Sequence, residues 1–136
     1  MIRSEDAGAT MNILLVDDER PLLALLERYL ERSGHQVDSC ETGRDALARC
    51  RAVPCPYSVV VLDLKLPDIS GQELLPQLLE AAPQVRVIVS SGTPYSPAAL
   101  PAAYRPRVEA LLKPFMPKEL LDAIERLAPR ARGASV

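Results

Sequence analysis

Five apolar runs of strand length punctuate the chain: Ile13–Val16, Gln36–Cys40, Ser58–Leu62, Val85–Val89 and Val108–Leu112. Between them the apolar spacing changes to that of a helix. Leu22, Leu23, Leu26, Tyr29 and Leu30 share one helical face, with Pro21 suited to the opening turn and Gly34 to the stop. A shorter helix is expected near Gly43–Arg51, with Ala46, Leu47 and Cys50 inward. A third starts at Ser70-x-x-Glu73, the pattern of a capping box, and carries Leu74, Leu75, Leu78 and Leu79. Pro76 within it predicts a kink or a shortening. The last opens at Pro117 and turns Leu120, Leu121, Ile124 and Leu127 inward.

The interval Thr93–Arg107 breaks this rhythm. It holds Pro94, Pro97, Pro101 and Pro106 where the alternation calls for a fourth helix, so a short or broken one is expected. Alternating strands and helices with near-continuous apolar strands predict an α/β fold, a parallel sheet covered on both faces. Gln36–Cys40 alternates and reads as an edge strand. In such open sheets function gathers beyond the carboxyl ends of the strands, at the switch point in strand order.

The residues after each run therefore matter most. Asp17 and Asp18 follow the first, Asp63 the third, Ser90, Ser91 and Gly92 the fourth, and Lys113-Pro114 the fifth. Glu41 and Thr42 follow the second, whose outer place keeps them from the site. A polar residue at one loop start says little. Three acids gathered at one edge would repel and raise one another's pKa unless a cation sat among them. A hard dication with oxygen ligands answers that need, and Lys113 suits a counter-charge to phosphate or carboxylate. Such an assembly serves phosphoryl transfer, in which a carboxylate can be the nucleophile. Asp63 ends the central strand and is the candidate.

Composition narrows the alternatives. The 136 residues fit one domain, 48% hydrophobic and 25% charged. A net charge of -2 without a basic cluster argues against nucleic acid. No run approaches the roughly 20 apolar residues of a membrane span. The opening MIRSEDAGAT lacks a secretory apolar segment, so a cytoplasmic protein is expected. Cys40, Cys50 and Cys55 form no CxxC pair and read as buried or half-buried reduced thiols. His35, in SGH, reads as a surface turn residue.

These pieces resemble the receiver domain of bacterial two-component response regulators. The likeness rests on LLVDDE, on VVVLDLKLPDISG with its Asp-x-x-x-Pro-x-x-x-Gly spacing, on VIVSSG and on LLKPF. It covers roughly residues 11–127, leaving 1–10 as a disordered extension and 128–136 as a flexible tail. The resemblance implies a flavodoxin-like doubly wound sheet of five parallel strands in the order 2-1-3-4-5. It implies Asp63 as phosphoacceptor and as a ligand of Mg²⁺ (or Mn²⁺), Asp18 as a direct ligand of the same ion, Asp17 as a ligand through water, and the backbone carbonyl of Lys65 as a further ligand. Ser91, rather than Ser90, matches the switch hydroxyl, by its distance in sequence from Lys113. Gly92 takes the small-residue place after it. Lys113 matches the family's lysine, followed by a cis peptide bond to Pro114. Side chains at Lys65 and Thr93 fall where dephosphorylation rates are tuned.

The resemblance further implies a histidine kinase or histidine phosphotransferase as donor, and a signalling role rather than an enzymatic one. Output would be a protein contact or a phosphate sink in a stand-alone domain, monomeric or weakly dimeric. The sequence does not name the downstream partner. Two departures stand out. Ala110 occupies a place where the family often has an aromatic, with Phe115 and Tyr104 the candidates to replace it, and the proline-rich interval stands where the family has a helix. An alternative is a degenerate receiver working as a phosphorylation-independent binding module. A phosphatase using an aspartyl-phosphate would want an acid two residues after the nucleophile, where Lys65 stands.

Overall fold

A strand buried along its whole length needs neighbours on both sides and cover on both faces. Val59–Asp63 is such a strand. In the computed structural model, which describes residues 10–127, it is β3, at the centre of a five-stranded parallel sheet. The other strands are β1 (Asn12–Val16), β2 (Gln36–Cys40), β4 (Arg86–Ser91) and β5 (Val108–Leu112), in the order β2-β1-β3-β4-β5. β2 is an edge strand, as its alternation predicts, and β5 is the other. The expected extension 1–10 and tail 128–136 lie outside the described residues, except Thr10, whose Oγ1 donates to the Gly34 carbonyl.

Helices α1 (Arg20–Arg32), α2 (Gly43–Cys50), α3 (Gly71–Ala81) and α4 (Pro117–Leu127) cover the sheet. One core layer joins Leu14, Val16, Val60, Leu62, Val87 and Val89 to α2 and α3. The opposite layer joins Ile13, Leu15, Val59, Val61 and Ile88 to α1 and α4. Strand residues alternate between the two layers, as the period of two requires. Caps begin α2 and α3: Thr42 Oγ1 accepts from the Asp45 N–H, and Ser70 Oγ from the Glu73 N–H. α3 continues through Pro76 without breaking.

Two features depart from the sequence expectation. β3 keeps Asp63, and β4 keeps both Ser90 and Ser91, because the ladder pairs Asp63 with Ser90 and Ser91 with Leu112. The short or broken helix expected over Thr93–Arg107 takes the form of two 3₁₀ turns, Pro97–Ala99 and Arg105–Arg107. Side chains hold it: Leu100 is buried, Arg105 Nε donates to the Leu100 carbonyl, and Arg107 donates to the carbonyls of Val85 and Ala82 at 3.0 and 2.7 Å. The Arg107 guanidinium also lies over the Tyr104 ring.

His35 is the second, buried rather than on the surface. Gly34, with φ of 98°, reverses the chain after α1 and brings His35 against the start of β1. There its Nδ1 accepts from the Met11 N–H at 3.1 Å, and Nε2 lies 3.9 Å from a Glu125 oxygen of α4. Cys40 and Cys50 are buried and Cys55 half-buried, all free, as expected. Burial pushes the Cys40 and Cys50 thiols up to about 12, which keeps them protonated and inert.

Candidate functional site

Each strand end presents its polar residues at one edge of the sheet. Asp17 leaves β1 buried, Asp18 follows it exposed, and Asp63 closes β3 buried. One carboxylate oxygen from each lies within 4.8 Å of the others. Lys113, one residue past β5, reaches back across the sheet. Its Nζ is 2.9 Å from Asp17 Oδ2, 3.2 Å from Glu19 Oε1 and 3.6 Å from Asp63 Oδ2.

The charges do not balance: one ammonium faces four carboxylates. Burial holds the Asp63 pKa above the usual carboxylate value. A hydrogen bond from the Lys65 N–H at 3.2 Å and the nearby Lys113 oppose this, while Asp17 and Asp18 add to it. Burial works against the Lys113 ammonium, yet Asp17, Glu19 and Asp63 hold its pKa above the ordinary value. Three close oxygen donors with surplus negative charge fit a hard dication such as Mg²⁺ or Mn²⁺.

The turn after Asp63 is tightly built. A Cβ on Gly71 would stand 2.6 Å from Leu64 Cα and 2.8 Å from the Asp63 carbonyl oxygen, so only glycine lets α3 start against the strand end. Asp68 Oδ1 and Oδ2 accept the Gly43 and Arg44 N–H groups at 2.8 and 2.9 Å, pinning this turn to the first turn of α2. Sequence reasoning missed Asp68, whose partners lie far away along the chain. It also missed Glu19 as a partner of Lys113, although the third acid of LLVDDE was a signal. Lys65 is exposed beside the acids in this turn.

Ser91 stands on the other face. Its Oγ accepts the Thr93 N–H at 3.1 Å, with Thr93 Oγ1 3.4 Å away. Gly92 and Thr93 are exposed, and a Cβ on Gly92 would meet nothing. Ser91 lines a pocket of about 220 Å³ with Val89, Pro94, Tyr95 and Ala110. Ala110 leaves this space open. Neither candidate aromatic fills it: Phe115 lines a separate pocket with Glu19, Leu22 and Lys113, and Tyr104 packs under Arg107. Tyr95, half-buried, is the aromatic at this wall. The Lys113–Pro114 bond is cis, as expected.

The family model of the response regulator receiver domain matches residues 13–125. The chain belongs to the response regulator receiver family. This receiver is 30% identical over 125 residues to the transcriptional regulatory protein ResD of Bacillus subtilis, covering 90% of this chain and 50% of that one. It therefore spans half the length of that relative. The receiver domain protein of Methanospirillum hungatei superposes with a TM-score of 0.76 at 27% identity, over 91% of this chain and 98% of that one. TrrA of Thermotoga maritima, solved with Mg²⁺-BeF, gives 0.72 at 27% identity, over 87% and 99%. The five-stranded parallel sheet, in the order β2-β1-β3-β4-β5, agrees with the fold of these relatives. Among the described residues no helix is long and apolar enough to cross a membrane.

Proposed function

We propose that Asp63 accepts a phosphoryl group from a phosphohistidine on a histidine kinase or phosphotransferase, and that this receiver signals through the change that follows. One observation carries the reading: a buried Asp63 carboxylate at the end of the central strand, with Asp17, Asp18 and Lys113 converging on it. The Asp63 oxygen attacks phosphorus, the P–N bond breaks, and histidine leaves with the electron pair of that bond. Asp17, Asp18, Asp63 and the Lys65 carbonyl would hold Mg²⁺, which when bound supplies positive charge beside the phosphoryl oxygens. Lys113 gives up part of its contact with Asp17 and Glu19 and pairs with the new group. Ser91 exchanges the Thr93 N–H for a phosphoryl oxygen, releasing the loop that carries Thr93 and Tyr95. The exposed Lys65 and Thr93 side chains, on the loops that follow Asp63 and Ser91, set how readily water reaches the phosphorus.

Incubation with acetyl phosphate and Mg²⁺ tests this. A phosphoryl adduct appears by mass on the wild-type receiver and not on Asp63→Asn. Failure across several small donors, with the fold intact, would leave the second reading, a binding module that needs no phosphate. The open space at Ala110 is the observation that favours it.

A further inference from the structure

Ser90 has no part in the site as described so far. It is 2% exposed, and its Oγ has no hydrogen-bond partner among the described residues. Its neighbours along β4, Val87, Ile88 and Val89, are buried aliphatic residues. Packing alone would favour another of the same kind, since a buried hydroxyl without a partner loses its water and gains nothing in return.

Its place explains more. Ser90 is the register partner of Asp63, and paired residues of adjacent strands point to the same face. Two residues earlier, Val61 and Ile88 pack into the layer of α1 and α4, so Asp63 and Ser90 lie on that face. Leu111 packs there too, and Lys113 follows it by two residues. The Lys113 N–H donates to the Ser91 carbonyl at 2.7 Å, fixing the root of the side chain beside β4. Its Nζ lies 3.6 Å from Asp63 Oδ2, on β3. β4 sits between β5 and β3. The lysine stem therefore crosses β4 on the face where Ser90 stands.

We propose that Ser90 is a positioning residue for Lys113: its Oγ accepts from the ammonium once a dication occupies Asp17 and Lys113 turns to the phosphoryl group. The ammonium has three protons and gives two to Asp17 and Glu19. A dication at the acid cluster competes with the ammonium for Asp17, the shorter of these partners. Ser90 Oγ is an uncommitted hydroxyl acceptor on the face that the stem crosses, and the bond would hold Nζ over Asp63. This rests on the reading of Asp63 as phosphoacceptor.

The test compares Ser90→Ala, Ser90→Thr and Ser90→Val in the rate of Asp63 phosphorylation by acetyl phosphate with Mg²⁺, beside the thermal midpoint in chelator. Thr and Val have nearly the same shape, so their difference reads the hydroxyl whatever the added methyl does to packing. The expected result is a rate about tenfold lower in Ser90→Ala and Ser90→Val than in their hydroxyl-bearing counterparts. The metal-free midpoint of Ser90→Ala should be unchanged or higher, because the hydroxyl it loses is unpaired there. Equal rates for wild type and Ser90→Ala, or for the Thr and Val variants, would overturn the proposal while leaving Asp63 as acceptor. Absence of any adduct on the wild type would overturn both.

Discussion

Replacing Asp63 by Asn should stabilise the metal-free protein, although it removes the residue on which the proposed function turns. A carboxylate oxygen of Asp17 and one of Asp18 each lie within 4.8 Å of one on Asp63, and Lys113 Nζ is 3.6 Å away. At an effective dielectric of about 20, each repulsion is at least about 3.5 kcal/mol and the attraction about 4.6 kcal/mol. The two repulsions together exceed the attraction by about 2 kcal/mol. Asp18 is exposed and solvent screens its share, while the burial of Asp63 adds cost in the same direction. The net expectation is a gain of about 1–2 kcal/mol, seen as a rise of roughly 3–8 °C in Tm. Thermal unfolding followed by circular dichroism at neutral pH, in chelator, measures it. Mg²⁺ should narrow the gap, because the ion relieves the same repulsion in the wild type. A Tm for Asp63→Asn at or below that of wild type in chelator would refute the charge accounting.

Three further outcomes follow from other parts of the molecule. Burial holds the His35 pKa below its ordinary 6.5 against the pull of Glu125, so below that pH the unfolded chain takes up a proton more readily than the folded one. Wild-type stability should therefore fall relative to His35→Phe as pH drops below 6.5, flatten once pH is under the folded-state pKa, and show no such difference at higher pH; urea midpoints across that range decide it. Asp68→Ala should cost about 1 kcal/mol through the loss of its bonds to the start of α2, and hydrogen exchange at Gly43 and Arg44 should quicken. Arg107→Leu should cost about 2–3 kcal/mol by stripping the Ala82 and Val85 carbonyls of charged donors, with faster exchange in Thr93–Arg107 than in β3. Uniform acceleration would argue against a local anchor.

Much of this was legible along the chain because burial and period are local signals. Val59–Leu62 announce a strand flanked on both sides, and the polar residue after each run then marks one edge of the sheet. What stayed hidden depends on distant partners. His35 has an ordinary turn sequence around it, yet the Met11 amide it accepts from belongs to another element. Asp68 and Arg107 are polar residues in loops until the fold brings α2 and the end of α3 to them. The serines of β4 escaped for a different reason: polar residues usually end a strand, whereas pairing with Asp63 and Leu112 carries this one two residues further.

The replacement of a helix by proline-rich turns changes how displacement can travel. A helix is a rod, so a push at one end moves the other. Between Thr93 and Arg107 the chain is instead a strap fastened at separate points, with prolines at 94, 97, 101 and 106 that offer no amide to a ladder. Slack between fastenings can be taken up without breaking them. Under the exchange proposed at Ser91, a pull that starts there would fade along the strap, greatest beside Tyr95 and least at the Arg107 anchor.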